Sequence, residues 1–473
     1  PLSIKNNMGL KEIFYNLPEV KKPLEKKLSF KIKLKWTLII LVAFFVLSII
    51  PLFGLGQNSL ARFEQLAIIL GASFGSLISL GIGPIVTASI VLQLLNGSGL
   101  LKFDLTSTEG RKNFQGVQKL LSLFFILFES LIYVYTGGLA PSAALTTSTY
   151  AAMQLVLVIQ LFIGGLLILF MDEVITKWGF GSGISLFIVA GVASEIFVRA
   201  FSPFNSTGGW AFGSGQAPVG NVWVFILSLI NGVPQEALIA LLTILATILI
   251  FIVSVYAQAM KVEIPLSFGR VRGYGIRWPL KFIYTSNIPV ILIAALMANI
   301  QLWASLMERA GYPFLGTFSN NVPATGFVSW INPPNLILEI FTGTFGFIDV
   351  GHAFVYMLFL VGGSILFSIL WVQTSGMDSA SQAKQMMDSG LQIPGFRRDP
   401  RVLESILSRY IMPLTVMGAV VVGFLAASAD LLGALSRGTG ILLAVMIIYK
   451  LYEDIAQQHM VDMHPALRKM MGG

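Results

Sequence analysis

Four interruptions by glycine or proline, Gly81-Ile-Gly-Pro84, Gly181-Ser-Gly183, Ser286-Asn-Ile-Pro289 and Gly438-Thr-Gly440, lie near one end of long apolar runs. Aliphatic residues follow them: Ile82 and Val86, Ile184 and Ile188, Ile291, and Leu442 with Leu443. Proline removes a backbone donor and glycine loosens a helix, so the freed groups need a protein or water partner. Broken helices therefore suggest an internal cavity, although ordinary kinking and close packing is the other reading. An aliphatic constriction keeps water and ions out by dewetting, and yields to a passing chain without binding it. A solute carrier instead places polar or charged groups at such a point.

Conventional catalysis has little to work with. There is no cysteine, and the three histidines (His352, His459, His464) do not make a zinc site alone. No Gly-Lys-Ser or Gly-Lys-Thr phosphate loop and no His-Glu-x-x-His motif occurs, so no cofactor is expected and driving energy must come from a partner. His352, close to Asp349 at the end of an apolar run, reads as a capped or interfacial group. Glu129 is different, because it stands inside an otherwise apolar run. An ionised carboxyl there costs a few kcal/mol, so it should be neutral, hydrogen-bonded or facing a cavity. A structural clamp between helices is the alternative.

These residues must be held by membrane-spanning helices. The chain has 473 residues, 55% hydrophobic and only 11% charged, which excludes a water-soluble fold. Runs of about 20 apolar residues predict ten spans: 36–53, 74–95, 117–135, 151–171, 183–200, 237–259, 282–303, 350–372, 410–429 and 438–449. Of the 31 lysines and arginines, all but Arg62, Arg199, Arg309 and Arg437 fall on one side of that arrangement. Positive charge resists translocation, so both termini are expected in the cytoplasm. Residues 1–35 are polar and lysine-rich, without a signal-peptide pattern, and residues 1–7 before Met8 are left out of the reading.

Each half of five spans is odd, so the halves would have inverted topology, with a pathway at their interface. The expected organisation is a cytoplasmic segment 1–35, an N-terminal half 36–200, an outer loop 201–236, a C-terminal half 237–456 and a tail 457–473. The C-terminal half carries basic cytoplasmic loops at 260–281 and 373–409. Within the first half, residues 66–101 carry no charge, too long a run for one span. Just before and into it, residues 59–70 place Leu60, Phe63, Leu66, Ala67 and Leu70 on one helical face after the cap-like Asn58, with Ser59 first. Twelve residues rise about 18 Å, too little to cross. This helix either tucks into a cavity or lies on the outer surface.

At this point the residues resemble a known family. Gly81-Ile-Gly-Pro-Ile-Val-Thr87 with Gln93-Leu-Leu95 is similar to the second-span signature of the SecY translocon large subunit. Pro18-Glu-Val20, Gln115-Gly-Val-Gln-Lys-Leu-Leu121, Asp172-Glu173, Gly181-Ser-Gly-Ile-Ser-Leu-Phe187, Ser286-Asn-Ile-Pro-Val290, Ala298-Asn-Ile-Gln-Leu-Trp303, Pro413-Leu-Thr-Val-Met417 and Gly438-Thr-Gly440 follow in family order. Two of these forms resemble the archaeal and eukaryotic branch.

The resemblance implies an all-α membrane protein of ten helices in two inverted five-helix halves, with a short re-entrant plug helix. It implies a channel that passes unfolded secretory chains and releases hydrophobic segments sideways into lipid. The pore ring would be Ile82, Val86, Ile184, Ile188, Ile291 and Leu443, and residues 59–70 the plug. A lateral gate would lie between spans two and three on one side and seven and eight on the other, with Thr87, Glu129 and Asn299 as its polar cluster. Arg270, Arg272, Arg397 and Arg398 would meet the ribosome, although positive-inside orientation alone also explains this charge. Expected partners are small single-span subunits of SecE and β type, a ribosome or other driving partner, signal sequences, nascent chains and membrane lipid. The expected location is the plasma membrane. A secondary transporter with broken helices and a membrane scaffold are the competing classes. The uncharged outer stretch 202–221 departs from the compact pattern, and 222–230 reads as an amphipathic cap after it.

Overall fold

Backbone N–H and C=O groups in lipid have no water to bond, so apolar runs of this length fold as helices that satisfy them internally. A computed structural model shows fourteen helices among the residues it describes, 18–24, 28–58, 72–97, 100–101, 103, 108–142, 145–205, 209–213, 215–268, 275–285, 288–319, 322–388, 391–392, 400–436 and 438–463. They are α1 (Phe30–Ile49), α2 (Gly83–Gly97), α3 (Thr108–Tyr135), α4 (Thr147–Trp178), α5 (Gly183–Phe201), α6 (Asn221–Ile230) and α7 (Pro234–Ala259). Then follow α8 (Ile288–Arg309), α9 (Phe327–Trp330), α10 (Leu336–Thr342), α11 (Phe347–Thr374), α12 (Ser379–Asp388), α13 (Pro400–Leu431) and α14 (Gly438–Met463). Eight of them, α1, α3, α4, α5, α7, α8, α11 and α13, are long and apolar enough to cross a membrane. The two other expected spans correspond to α2, with 15 residues, and α14, with 26.

Some limits differ from those read in the sequence. α1 begins at Phe30 and carries Lys31, Lys33 and Lys35 in its first turns, with the Lys33 ammonium over the Phe180 ring at 5.6 Å, and α14 continues through Lys450 and Glu453 as far as Met463. The larger difference is at span two, where the run 74–95 is helical only from Gly83 onward. Residues 74–82 are turns, and serines satisfy part of their backbone: the Gly75 N–H donates to Ser79 Oγ, and Ser79 Oγ donates to the Ser76 carbonyl. Such backbone is tolerated at membrane depth only where protein lines it. α4 supplies that lining, since a Cβ at Gly164 would meet the Leu77 carbonyl oxygen at 1.8 Å.

The two five-span halves repeat one packing scheme. In the first, α1 packs on α4 and α5, α2 on α3, α3 on α4, and α4 on α5. In the second, α7 packs on α13 and α14, α8 on α11, α11 on α13, and α13 on α14, which is the same set with each helix replaced by its counterpart. The halves meet where α2 packs on α8 and α11, and where α5 packs on α14.

Between α1 and α2 the chain makes an excursion closed at its neck. Leu52 N–H donates to the Gly75 carbonyl and Leu77 N–H to the Ile50 carbonyl, each at 2.9 Å. Beyond the neck, strand β1 (Leu55–Asn58) pairs antiparallel with β2 (Leu139–Pro141), and Asn58 Nδ2 donates to the Phe74 carbonyl at 2.9 Å.

A second, smaller apolar core lies at the ends of α11 and α13, built from Val372, Ala383, Leu403 and Leu407 with Ile264 and Leu280. The last two come from a ribbon of β3 (Lys261–Phe268) and β4 (Gly275–Lys281). After the two-residue strands β5 (Phe318–Ser319) and β6 (Val322–Pro323), strand β7 (Leu391–Gln392) adds to β3, so both basic loops share one sheet. Lys261 and Lys281 both pair with Glu453 of α14, which ties the ribbon's base to the last span. On α3 and α4, Lys119 and Lys177 hold residues 18–20: Lys119 Nζ donates to the Pro18 carbonyl, Lys177 Nζ to the Val20 carbonyl at 2.6 Å and to Glu19. That ammonium holds the Glu19 carboxyl below its ordinary value. Before and into α6, Phe204, Trp210, Phe212 and Trp223 are in successive ring contact at 5.8, 5.5 and 5.4 Å.

Gly164→Val should lower stability by about 2 kcal/mol, because the obstructing atom is a backbone carbonyl and cannot turn away. Gly351→Ala, with no atom within 4 Å of the added Cβ, should cost nothing. Thermal unfolding in detergent compares the two.

Candidate functional site

The four interruptions are helix beginnings. α2 starts at Gly83 with Pro84 second, α8 starts at Ile288 with Pro289 second, and α5 and α14 start at Gly183 and Gly438. Proline is at ease in a first turn, where its missing N–H would have no intrahelical acceptor. The repeat extends to the side chains. Val86 and Ile291 are each the fourth residue of their helix, and Ile188 and Leu443 each the sixth. Ile82 immediately precedes α2, and Ile184 is the second residue of α5.

Ile82, Val86, Ile188, Ile291 and Leu443 are buried in one apolar core that runs through both halves, and Ile184 is half-buried against it. Within an odd-span repeat, consecutive helices run oppositely, so α2 and α14 begin from one side while α5 and α8 begin from the other. Helix starts from both sides thus carry aliphatic side chains into that core. Gly440 lets α14 approach α5 closely there, since its added Cβ would lie 3.2 Å from Val192.

The polar cluster spans the contact between the halves. Asn299 Nδ2 on α8 donates to Thr87 Oγ1 on α2 at 2.8 Å, both residues being buried. The Thr87 hydroxyl donates back to the Gly83 carbonyl at 2.9 Å. Glu129 is buried on α3 within interaction range of Thr87 and Tyr133. With the Thr87 hydroxyl so occupied, neither carboxylate oxygen of Glu129 has a hydrogen bond of good geometry among the described residues. The structure therefore joins two of the three expected gate residues directly and sets the third beside them. A further pair lies at the α8 start: Thr285 and Ser368 of α11 share a buried hydroxyl hydrogen bond at 2.8 Å.

Ser59, Leu60, Phe63, Leu66, Ala67 and Leu70 lie outside the described residues, as do Arg270, Arg272, Arg397 and Arg398. Their neighbours are described: the neck that closes the excursion on either side of 59–70, and the sheet that carries both basic loops. Arg277, on β4, is exposed and pairs with Glu263 at 3.0 Å. His352 is stacked edge-on against Trp330 at 4.9 Å. Among the described residues, no group of three or more His, Asp or Glu is placed to hold a metal.

Two residues without a role in the sequence reading complete the site. Asp172 accepts the Ile184 N–H at 3.0 Å and Asp430 accepts the Gly438 N–H at 2.6 Å. Both fall near the end of a span that precedes one of the interrupted ones, a spacing that could have drawn attention to them.

A family model described as SecY matches residues 76–452. The protein translocase subunit SecY of Methanothermobacter thermautotrophicus is 45% identical, over 97% of this chain and 98% of its own length. A solved protein-conducting channel superposes with a TM-score of 0.81 at 41% identity, covering 97% of this chain and 99% of that one. Sec61 in the canine ribosome–channel complex from the endoplasmic reticulum gives 0.79 at 40% identity, with 97% and 99% covered.

The Thr87–Asn299 bond predicts a coupling. In a double-mutant cycle with Thr87→Ala and Asn299→Ala, unfolding in detergent should give an interaction energy of about 1 kcal/mol. Additive losses would show that the two side chains do not act together.

Proposed function

This chain belongs to the SecY family and is the pore-forming subunit of a protein translocation channel, and we propose that polypeptides cross at the waist formed by Ile82, Val86, Ile184, Ile188, Ile291 and Leu443. One observation carries this: aliphatic residues from four helix starts, two in each half, belong to or pack against one apolar core that runs through both halves. Aliphatic walls give ions and water nothing to bind, and give an extended polypeptide no site specific to its sequence. A solute carrier would need polar groups at the same place.

The contact of α2 with α8 and α11, held by Thr87 and Asn299, suits a lateral gate, since parting it would open the waist toward lipid. Its cohesion is what a signal sequence must overcome. Residues 59–70 act as the plug, a reading supported by the neck that joins the chain on either side of them just before α2. No catalytic step is required of the chain, and work is supplied from outside it. The likeness to Sec61 of a ribosome–channel complex favours the ribosome as partner, with Arg270, Arg272, Arg397 and Arg398 pairing with RNA phosphates. Small single-span subunits of SecE and β type complete the assembly. The excess of lysine and arginine on one side supports an orientation with both termini in the cytoplasm, and the proposed location is the plasma membrane.

A stalled secretory chain bearing a photoreactive residue should crosslink to Ile82, Ile188 and Ile291. Crosslinks confined to the outer loops would remove the waist from the path. Ribosome affinity should fall steeply with salt while the fold persists, and Arg397→Glu should weaken it at constant salt. If neither changes the affinity measured by cosedimentation, the basic loops serve orientation alone.

A further inference from the structure

We infer that Asp172 and Asp430 are a matched pair of positioning residues, one in each half, that set where α5 and α14 begin and thereby hold the waist closed. The inference rests on the reading of Ile184, Ile188 and Leu443 as waist residues. Each carboxylate lies near the end of one span and takes an N–H from the first turn of the next: Asp172 of α4 from Ile184, Asp430 of α13 from Gly438. Ser182 occupies the position that would ordinarily cap α5, yet its side chain makes no capping bond to the helix. The partner from the previous span does so instead.

The surroundings are duplicated too. Each turn contains a glycine in the left-handed region, Gly181 at φ 72° and Gly433 at φ 59°. Each following helix opens on a glycine pressed against the carboxylate's own helix. A Cβ at Gly183 would lie 2.6 Å from Asp172 Cα, and one at Gly438 would lie 2.0 Å from Ala429 Cβ. The second device has an additional tie, because Asp430 Oδ2 accepts the Tyr356 hydroxyl of α11.

An anionic acceptor at a helix N-terminus bonds orphan N–H groups and meets the positive end of the helix dipole, and both effects are larger where water is scarce. At a rise of about 1.5 Å per residue, Ile188 and Leu443 lie within about 8 Å of their caps along a rigid helix. A shift at the cap is therefore passed to the waist almost undiminished. The inverted repeat sets the two caps on opposite sides of the membrane, so each half fixes its own contribution from its own end.

The test is the resting conductance of the purified translocation complex in planar bilayers. Asp172→Ala and Asp430→Ala should each raise the leak roughly fivefold, the change in population that loss of a helix cap produces. Asp172→Asn and Asp430→Asn keep an acceptor oxygen but lose the charge at the positive end of the helix, and should leak less than the alanine variants. Gly183→Ala and Gly438→Ala keep the carboxylates but wedge the helix starts away, and should leak; they also serve if the alanine variants at the aspartates assemble poorly. Ile188→Ser reads the waist directly. A leak from Ile188→Ser with silence from the alanine variants at all four positions overturns the positioning role and leaves the waist standing. Silence from Ile188→Ser as well defeats the waist reading and this inference with it. Asparagine variants that leak as much as the alanine variants would show that the accepted bond is not what holds the helix starts.

Discussion

The breaks in the membrane-spanning helices answer to one constraint: inside a bilayer, backbone that is not helical must be bonded by protein. Residues 74–82 are the clearest case. They lie in the middle of an uncharged run, yet adopt turns, and they exist because Ser76, Ser79 and the bare backbone of Gly164 supply partners and room. Interrupting a span at that depth allows α2 to begin at Gly83 instead of at the membrane surface. The same device, helices starting inside the protein, is what buries Val86, Ile188, Ile291 and Leu443 in one apolar core.

Once helices begin inside, their first N–H groups must be met as well. The two halves solve this alike for their last span, with a carboxylate from the helix before. For α2 and α8 the second residue is proline, which removes one of the N–H groups in question. The aliphatic residues near these helix starts are thus buried without polar partners, because backbone and carboxylates already satisfy the helix ends.

How far this was legible in the sequence depends on the residue. Apolar length and lysine placement suffice for the spans, and glycine and proline mark the four interruptions and the aliphatic residues beyond them. Whether an interruption is a kink or a beginning is not legible, because Gly81 to Pro84 looks the same in either case; only the packing of Leu77 on Gly164 decides it. The repeat escapes sequence comparison because the counterparts differ in type, Val86 against Ile291 and Ile188 against Leu443, and agree only in distance from a helix start. Thr87 and Asn299, 212 residues apart, could be paired only through the family resemblance. Glu129 was conspicuous as a carboxyl in an apolar run, but its lack of a well-made hydrogen bond comes from the prior commitment of Thr87, which no local pattern reveals.

The neck between Ile50–Leu52 and Gly75–Leu77 has an effect on tolerance to length change. Because its hydrogen bonds join the chain entering and leaving the excursion, everything beyond them is a closed loop, independent of where α1 ends and α2 begins. Doubling the length of a flexible loop costs only about 0.6 kcal/mol in closure entropy. Insertions or deletions within it would therefore leave the register of the flanking helices unchanged, so its length is free to vary while the packing of α1 and α2 stays the same.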